Sequence, residues 1–183
     1  MLWNGGYTGK NEFGLTVEYQ RYCRTVISRL IEKGYEVHLI LHAYYKEMGD
    51  YPDNDMDAVM ALHNEYPNTI VAPNFSTPME AKGYIAAMDL FTGARMHATI
   101  AAFSSGVPVI PFSYSRKFEG LFDSLEYGYI IHGCSDSTDC AIDKFFSYLK
   151  DIERLKYDEN IGLKMVESKN KQLIESTEEI IFS

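Results

Sequence analysis

The chain has 183 residues, 46% of them hydrophobic, and a formal net charge of −9. That length supports one domain with a real core, and the acidic balance argues against general nucleic-acid binding, which needs a basic face. No apolar run approaches the roughly 20 residues that a membrane-spanning helix requires, and no signal-peptide pattern opens the chain. The three cysteines, Cys23, Cys134 and Cys140, are odd in number and form no C-x-x-C pair, so a reducing compartment with structural roles for all three is expected.

Residues 1–14 carry Gly5, Gly6, Gly9 and Gly14 and read as loop, with Met1-Leu2-Trp3 as the stub of a strand whose beginning is missing. Apolar residues then recur at helical spacing over residues 15–33, and Gly34 supplies a left-handed stop. Residues 35–41 read as a strand buried on both faces. A loop with aromatic and acidic residues follows, then a helix over 54–65 with Asp55 as its cap and Met56, Val59, Met60 and Leu62 on its apolar side. Residues 69–72 are a short strand. Thr77-Pro78-Met79-Glu80 is a strong helix start, with Thr77 as cap, Pro78 at the first helical position and Glu80 closing a capping box. That helix is expected to run to about residue 88.

Residues 88–117 organise the rest. A strand over 88–91 ends in Thr92-Gly93-Ala94, a helix follows over 96–103, Gly106 stops it, and a strand over 107–112 leads into a polar loop. Arg95 and His97 fall at the strand-to-helix turn, and Arg116 and Lys117 beyond the next strand. In parallel α/β sheets ligands bind outside the carboxyl ends of strands, so these cations stand where an anion would be held. Downstream come a helix over 118–125, a strand over 129–131, a helix over 139–149 and a long helical pattern over 158–182. Much of the acid, in 50–57 and in the tail, reads as solvated. The alternation predicts a single α/β domain over residues 1–183, with a parallel sheet flanked by helices and right-handed crossovers.

Gly93 lets the backbone turn tightly and approach a ligand. Arg95 offers a planar fork of donors for carboxylate or phosphate, and the amides of Met96, His97 and Ala98 open a helix. The competing reading has Arg95 pairing with a carboxylate such as Asp89. On an ideal helix residues 95 and 97 point about 200° apart, so both reach one ligand only if the helix begins near His97. Lys117 is an anion contact or a solvated charge; Ser113 and Tyr114 offer hydroxyls, although Tyr114 suits packing equally. His42 ends a strand at the same crevice edge, whereas His38, His63 and His132 read as structural. No zinc, Walker, dinucleotide or Ser-hydrolase motif occurs, so neither a metal nor a cofactor is expected.

The run G-A-R-M-H-A-T-I-A-A-F-S-S-G-V-P-V-I-P-F-S-Y-S-R-K resembles the polysaccharide pyruvyl transferase family through Asp89, Gly93, Arg95, His97, Ala98, Gly106, Val107, Pro108, Val109, Tyr114 and Lys117. Met96 stands where the family usually has leucine, and Ser115-Arg116 where Asp-Pro is common. The resemblance covers most of residues 15–130. It implies a Rossmann-like domain, the C-terminal domain of a GT-B-like two-domain enzyme, with the N-terminal partner domain outside this chain. It implies transfer of the pyruvyl group of phosphoenolpyruvate to two hydroxyls of a surface-polysaccharide sugar as a ketal, with phosphoenolpyruvate and a saccharide acceptor as partners. Arg95 and His97 would be catalytic, and Gly93, Arg95, Met96, His97, Ser113, Tyr114, Lys117 and His42 would line the substrate site. The expected location is cytoplasmic, beside the inner membrane where the substrate is held. The isolated domain would turn nothing over. The alternatives are a GT-B nucleotide-sugar donor domain and a degenerate, non-catalytic interaction domain.

Overall fold

The computed structural model describes residues 1–43 and 54–182, with side chains to residue 177. After a 3-10 turn, Leu2–Asn4, the order is α1 (Tyr19–Glu32), β1 (His38–Leu39), α2 (Met56–Glu65), β2 (Ile70–Val71), α3 (Pro78–Ile85), β3 (Phe91–Gly93), α4 (Met96–Phe103), β4 (Val109–Ser113), α5 (Arg116–Asp123), β5 (Ile131–His132), α6 (Thr138–Lys150) and α7 (Ile152–Phe182). This is an α/β protein whose strands all pair in parallel. Among the described residues the expected single sheet is instead two pieces: β1 pairs with β2, while β3, β4 and β5 form a second sheet in that order. The strands are shorter than their apolar runs, because pairing rather than hydrophobicity sets their ends.

Side-chain alternation along the three-stranded piece divides the core. Ile110 and Phe112 of β4, and Ile131 of β5, face one cluster with Tyr22 and Val26 of α1 and Ile142, Phe145 and Leu149 of α6. Phe91, Val109 and Ile130 face the other, with Ile85 of α3, Ala98 and Ala102 of α4, and Phe118 and Phe122 of α5. That is the two-residue period of a strand covered on both sides, and every residue of β4 is buried. A third cluster joins Ile27 of α1 to Leu39 and to Val59 and Leu62 of α2.

Several local signals act as expected. Gly34 and Gly106 end helices with φ of 83° and 74°. The Thr77 side chain accepts from the Glu80 amide at 3.2 Å; the Glu80 carboxylate returns to the Ser76 amide at 2.8 Å, one residue before the cap. Other expectations are corrected. Met60 of α2 is exposed, as are Ile161, Leu173 and Ile174 on α7; among the described residues α7 reaches the core through Leu155, Leu163 and Val166 of its first half. Asp50 and Asp53 lie outside the described residues. Cys23, Cys134 and Cys140 are free thiols; Cys23 packs against two core clusters, and burial pushes its thiol up to about 12.

Candidate functional site

The carboxyl end of β3 leads directly into the start of α4. Arg95 is extended at φ −83°, ψ 107°, helical residues begin at Met96, and no side chain caps this helix start. The chain therefore leaves the strand extended at Arg95 and enters the helix between Arg95 and His97. His97 is exposed, and Arg95 is partly buried.

Arg95 is not paired with Asp89. It binds Asp55, with Nη2 donating to Oδ1 at 2.6 Å and Nε lying 3.2 Å from both carboxylate oxygens. The Arg95 and Asp55 side chains are only 23% and 19% exposed, so this contact is shielded more than a surface ion pair. Asp55 occupies the N-cap position of α2 as expected, but its side chain makes no capping hydrogen bond there. Its Oδ2 accepts from the backbone amides of Ala43 at 2.9 Å and His42 at 3.2 Å, while Asn54 accepts from the Met56 amide at 3.1 Å. One carboxylate thus ties the end of the β1 segment and the start of α2 to the turn after β3. Sequence reasoning placed Asp55 at a helix start and stopped there. The available signal was topological: the segments after parallel strands emerge at one sheet edge, so an acid in one of them can face a base in another.

His42 joins this group. Desolvation holds its imidazole below the usual histidine range; Asp55 opposes that, and the Arg95 and His97 charges reinforce it. His42 therefore senses Asp55, Arg95 and His97 together.

The remaining candidates divide. Gly93 ends β3 without a positive φ, and a Cβ there would meet only the Phe91 ring at 3.5 Å, so the expected tight turn is not what calls for glycine. Met96 is the first residue of α4 and packs against the core on the α4 side of the sheet. Ser113 is 1% exposed and its hydroxyl donates to the Ser115 carbonyl at 3.1 Å, so it shapes the loop and is not presented to a ligand. Tyr114 packs edge-on against Phe13 at 5.0 Å. Lys117 and Arg116 are exposed in the first turn of α5, which is capped by Ser115. The structural histidines have ordinary partners: His38 with Tyr84 at 2.6 Å, His63 with Thr69 at 3.1 Å and His132 with Glu119 at 2.9 Å. Among the described residues no cluster of histidine, cysteine or acidic side chains could hold a metal, and no helix is long and apolar enough to cross a membrane.

The site lies within the part of the chain that a family model recognises. The model for polysaccharide pyruvyl transferase matches residues 8–116, well over half of the chain. Neither a curated protein nor a solved structure matches it. The match runs from the N-terminal loop through the β3–α4 turn and β4 into the first residue of α5; the chain belongs to the polysaccharide pyruvyl transferase family.

Proposed function

We propose that this chain is the donor-handling, C-terminal domain of a GT-B-like pyruvyl transferase, taking the pyruvyl group of phosphoenolpyruvate to a sugar as a cyclic ketal. The observation that carries this reading is the junction of β3 and α4: an extended Arg95, an uncapped helix start and an exposed His97 share a strand end, inside the family match.

The chemistry requires a proton on the methylene carbon of phosphoenolpyruvate, which leaves an oxocarbenium-like carbon beside it. A sugar hydroxyl attacks that carbon, phosphate departs with the electron pair of its C–O bond, and a second hydroxyl closes the ketal. His97 is assigned as the proton donor. The α4 amides and Arg95 hold the anionic groups, with Asp55 fixing the guanidinium in place. His42, biased toward neutral imidazole, suits acceptance of a proton from an attacking hydroxyl. Lys117 is a peripheral cation that draws the anion toward the site.

Thermal unfolding of the 183-residue chain with phosphoenolpyruvate, with a UDP-sugar and with neither tests the proposal. A rise in Tm with phosphoenolpyruvate alone, lost in Arg95→Ala and reduced in His97→Gln, supports it. Stabilisation by the UDP-sugar instead, or a phosphoenolpyruvate effect that survives Arg95→Ala, overturns it.

A further inference from the structure

The strands β3 and β4 end at Gly93 and Ser113. Just beyond them, Arg95 and Tyr114 line one cavity of about 440 Å³ together with His42 and Asp55. An aromatic strip leaves this cavity at Tyr114. The Tyr114 and Phe13 rings meet edge-on with centroids 5.0 Å apart, and Phe13 in turn meets Tyr7, inclined by 56° at 6.3 Å. Phe13 and Tyr114 are half-buried, whereas Tyr7 is 56% exposed. A face-to-face stack would cover one face of each ring; neither of these inclined contacts does so. The strip thus starts beside the turn that carries Arg95 and ends in solvent.

The loop that carries Tyr7 and Phe13 is fixed by its polar groups. The Glu12 carboxylate accepts from the Tyr7 amide at 2.8 Å, and the Glu12 amide donates to the Gly5 carbonyl at 3.3 Å. The Asn11 side chain donates to the Leu15 carbonyl and accepts from the Leu15 amide, each at 2.8 Å. Gly6, at φ 96°, lets Glu12 close on this turn, because a Cβ there would stand 3.0 Å from the carboxylate. The Thr16 and Val17 amides donate to the Gly133 carbonyl at 2.9 and 3.2 Å, and the Cys134 thiol donates to the Phe13 carbonyl at 3.2 Å. The loop is therefore tied to the residues after β5 by its backbone, independently of the Tyr7 ring. An exposed aromatic ring on a braced loop presents a large contact area with little conformational freedom to lose on binding.

We infer that Tyr7, Phe13 and Tyr114 form a saccharide-stacking strip that seats a neutral sugar ring of the acceptor on Tyr7 and leads the linked sugars past Phe13 toward the Arg95 turn. The ligand class rests on the pyruvyl-transfer reading; the location rests on the continuity of the strip with the cavity. A pyranose ring carries hydroxyls around its rim and C–H bonds on its faces. Those C–H bonds bear partial positive charge, which suits the negative face of an aromatic ring, while the rim hydroxyls stay in water or meet polar side chains. Thr8, Lys10 and Asn11 are exposed beside Tyr7. An open strip also fits a polymer better than an enclosed pocket does, because the neighbouring units of a polymer need room on both sides.

Saturation-transfer NMR on the 183-residue chain, with lactose and with cellobiose as probes, tests this. The expected result is saturation reaching the ring C–H protons of one sugar face, with binding weakened by about fivefold or more in Tyr7→Ala, the scale of one lost aromatic contact. Tyr7→Phe keeps the ring and should keep the transfer. Equal transfer in the wild type and Tyr7→Ala overturns the inference, as does no transfer at all. Equal transfer to cyclohexanol marks an unselective apolar patch and overturns it, and a Tyr7-dependent dimer in sedimentation assigns the strip to a second copy and overturns it too. The phosphoenolpyruvate-induced shift in Tm, measured on the same proteins, reads the donor assignment separately. Arg95→Ala should remove that shift and leave saccharide transfer intact, whereas Tyr7→Ala should do the reverse. Saccharide transfer without any phosphoenolpyruvate shift therefore supports the strip and faults the donor reading alone.

Discussion

Asp55 grips Arg95 through both carboxylate oxygens while accepting two backbone amides from the residues that follow β1. The pairing joins segments 40 residues apart, and it makes the candidate anion site a positioned guanidinium rather than a mobile one. Preorganised charge acts on a reacting anion without the cost of being ordered at the moment of reaction.

Removing Asp55 leaves Arg95 without its carboxylate and two amides without an acceptor. Asp55→Ala should lower unfolding free energy by about 2 kcal/mol, the range expected when partly buried polar groups lose their partners. Urea unfolding measures this. Asp55→Asn, which keeps one carbonyl oxygen for the amides, should recover part of the loss.

His42 provides a signed electrostatic test. Its pKa is depressed by desolvation first, raised by Asp55 and lowered again by Arg95 and His97. Asp55→Asn should therefore depress it further, whereas Arg95→Gln should raise it toward the ordinary value near 6.5. NMR titration of the imidazole in the three proteins resolves the directions, and equal values would show that these charges do not act on the ring. The folded state holds fewer protons here than the unfolded chain. This group's penalty therefore appears as pH falls through its unfolded pKa and is relieved as pH rises above it.

Glu159 of α7 behaves in the opposite sense. It is 2% exposed, one carboxyl oxygen has no hydrogen-bond partner, and burial pushes its pKa up to about 8. The folded state retains a proton that the unfolded chain releases near 4.5. Its contribution is therefore fully present below 4.5 and is lost as pH rises through about 8. Glu159→Gln should flatten that part of the stability profile and raise stability at pH 8, as read by thermal unfolding between pH 5 and 9.

Gly133 follows β5 at a point where a Cβ would lie 2.6 Å from the Phe112 ring and 2.8 Å from the Ser113 carbonyl. Phe112 is 1% exposed and cannot move aside, and the second neighbour is backbone. Gly133→Ala should cost about 2–3 kcal/mol through overpacking. Gly120→Ala, where the added carbon meets nothing within 4 Å, should be neutral or slightly stabilising because it favours the helix.

The chain's own residues determined the order of helices and strands, the stops at Gly34 and Gly106, the Thr77 cap and the β3–α4 turn, because each depends on neighbours a few residues away. The motif around Arg95 and His97 was legible for the same reason, and with it the family. Tertiary structure alone decided that Asp55, not Asp89, holds Arg95, that Ser113 turns inward, and that Leu173 is left 66% exposed. It also decided that the sheet divides between β1 and β3. Local spacing reports which backbone a segment prefers; which edges and charges come to face each other depends on how distant segments pack, and periodicity carries no record of that.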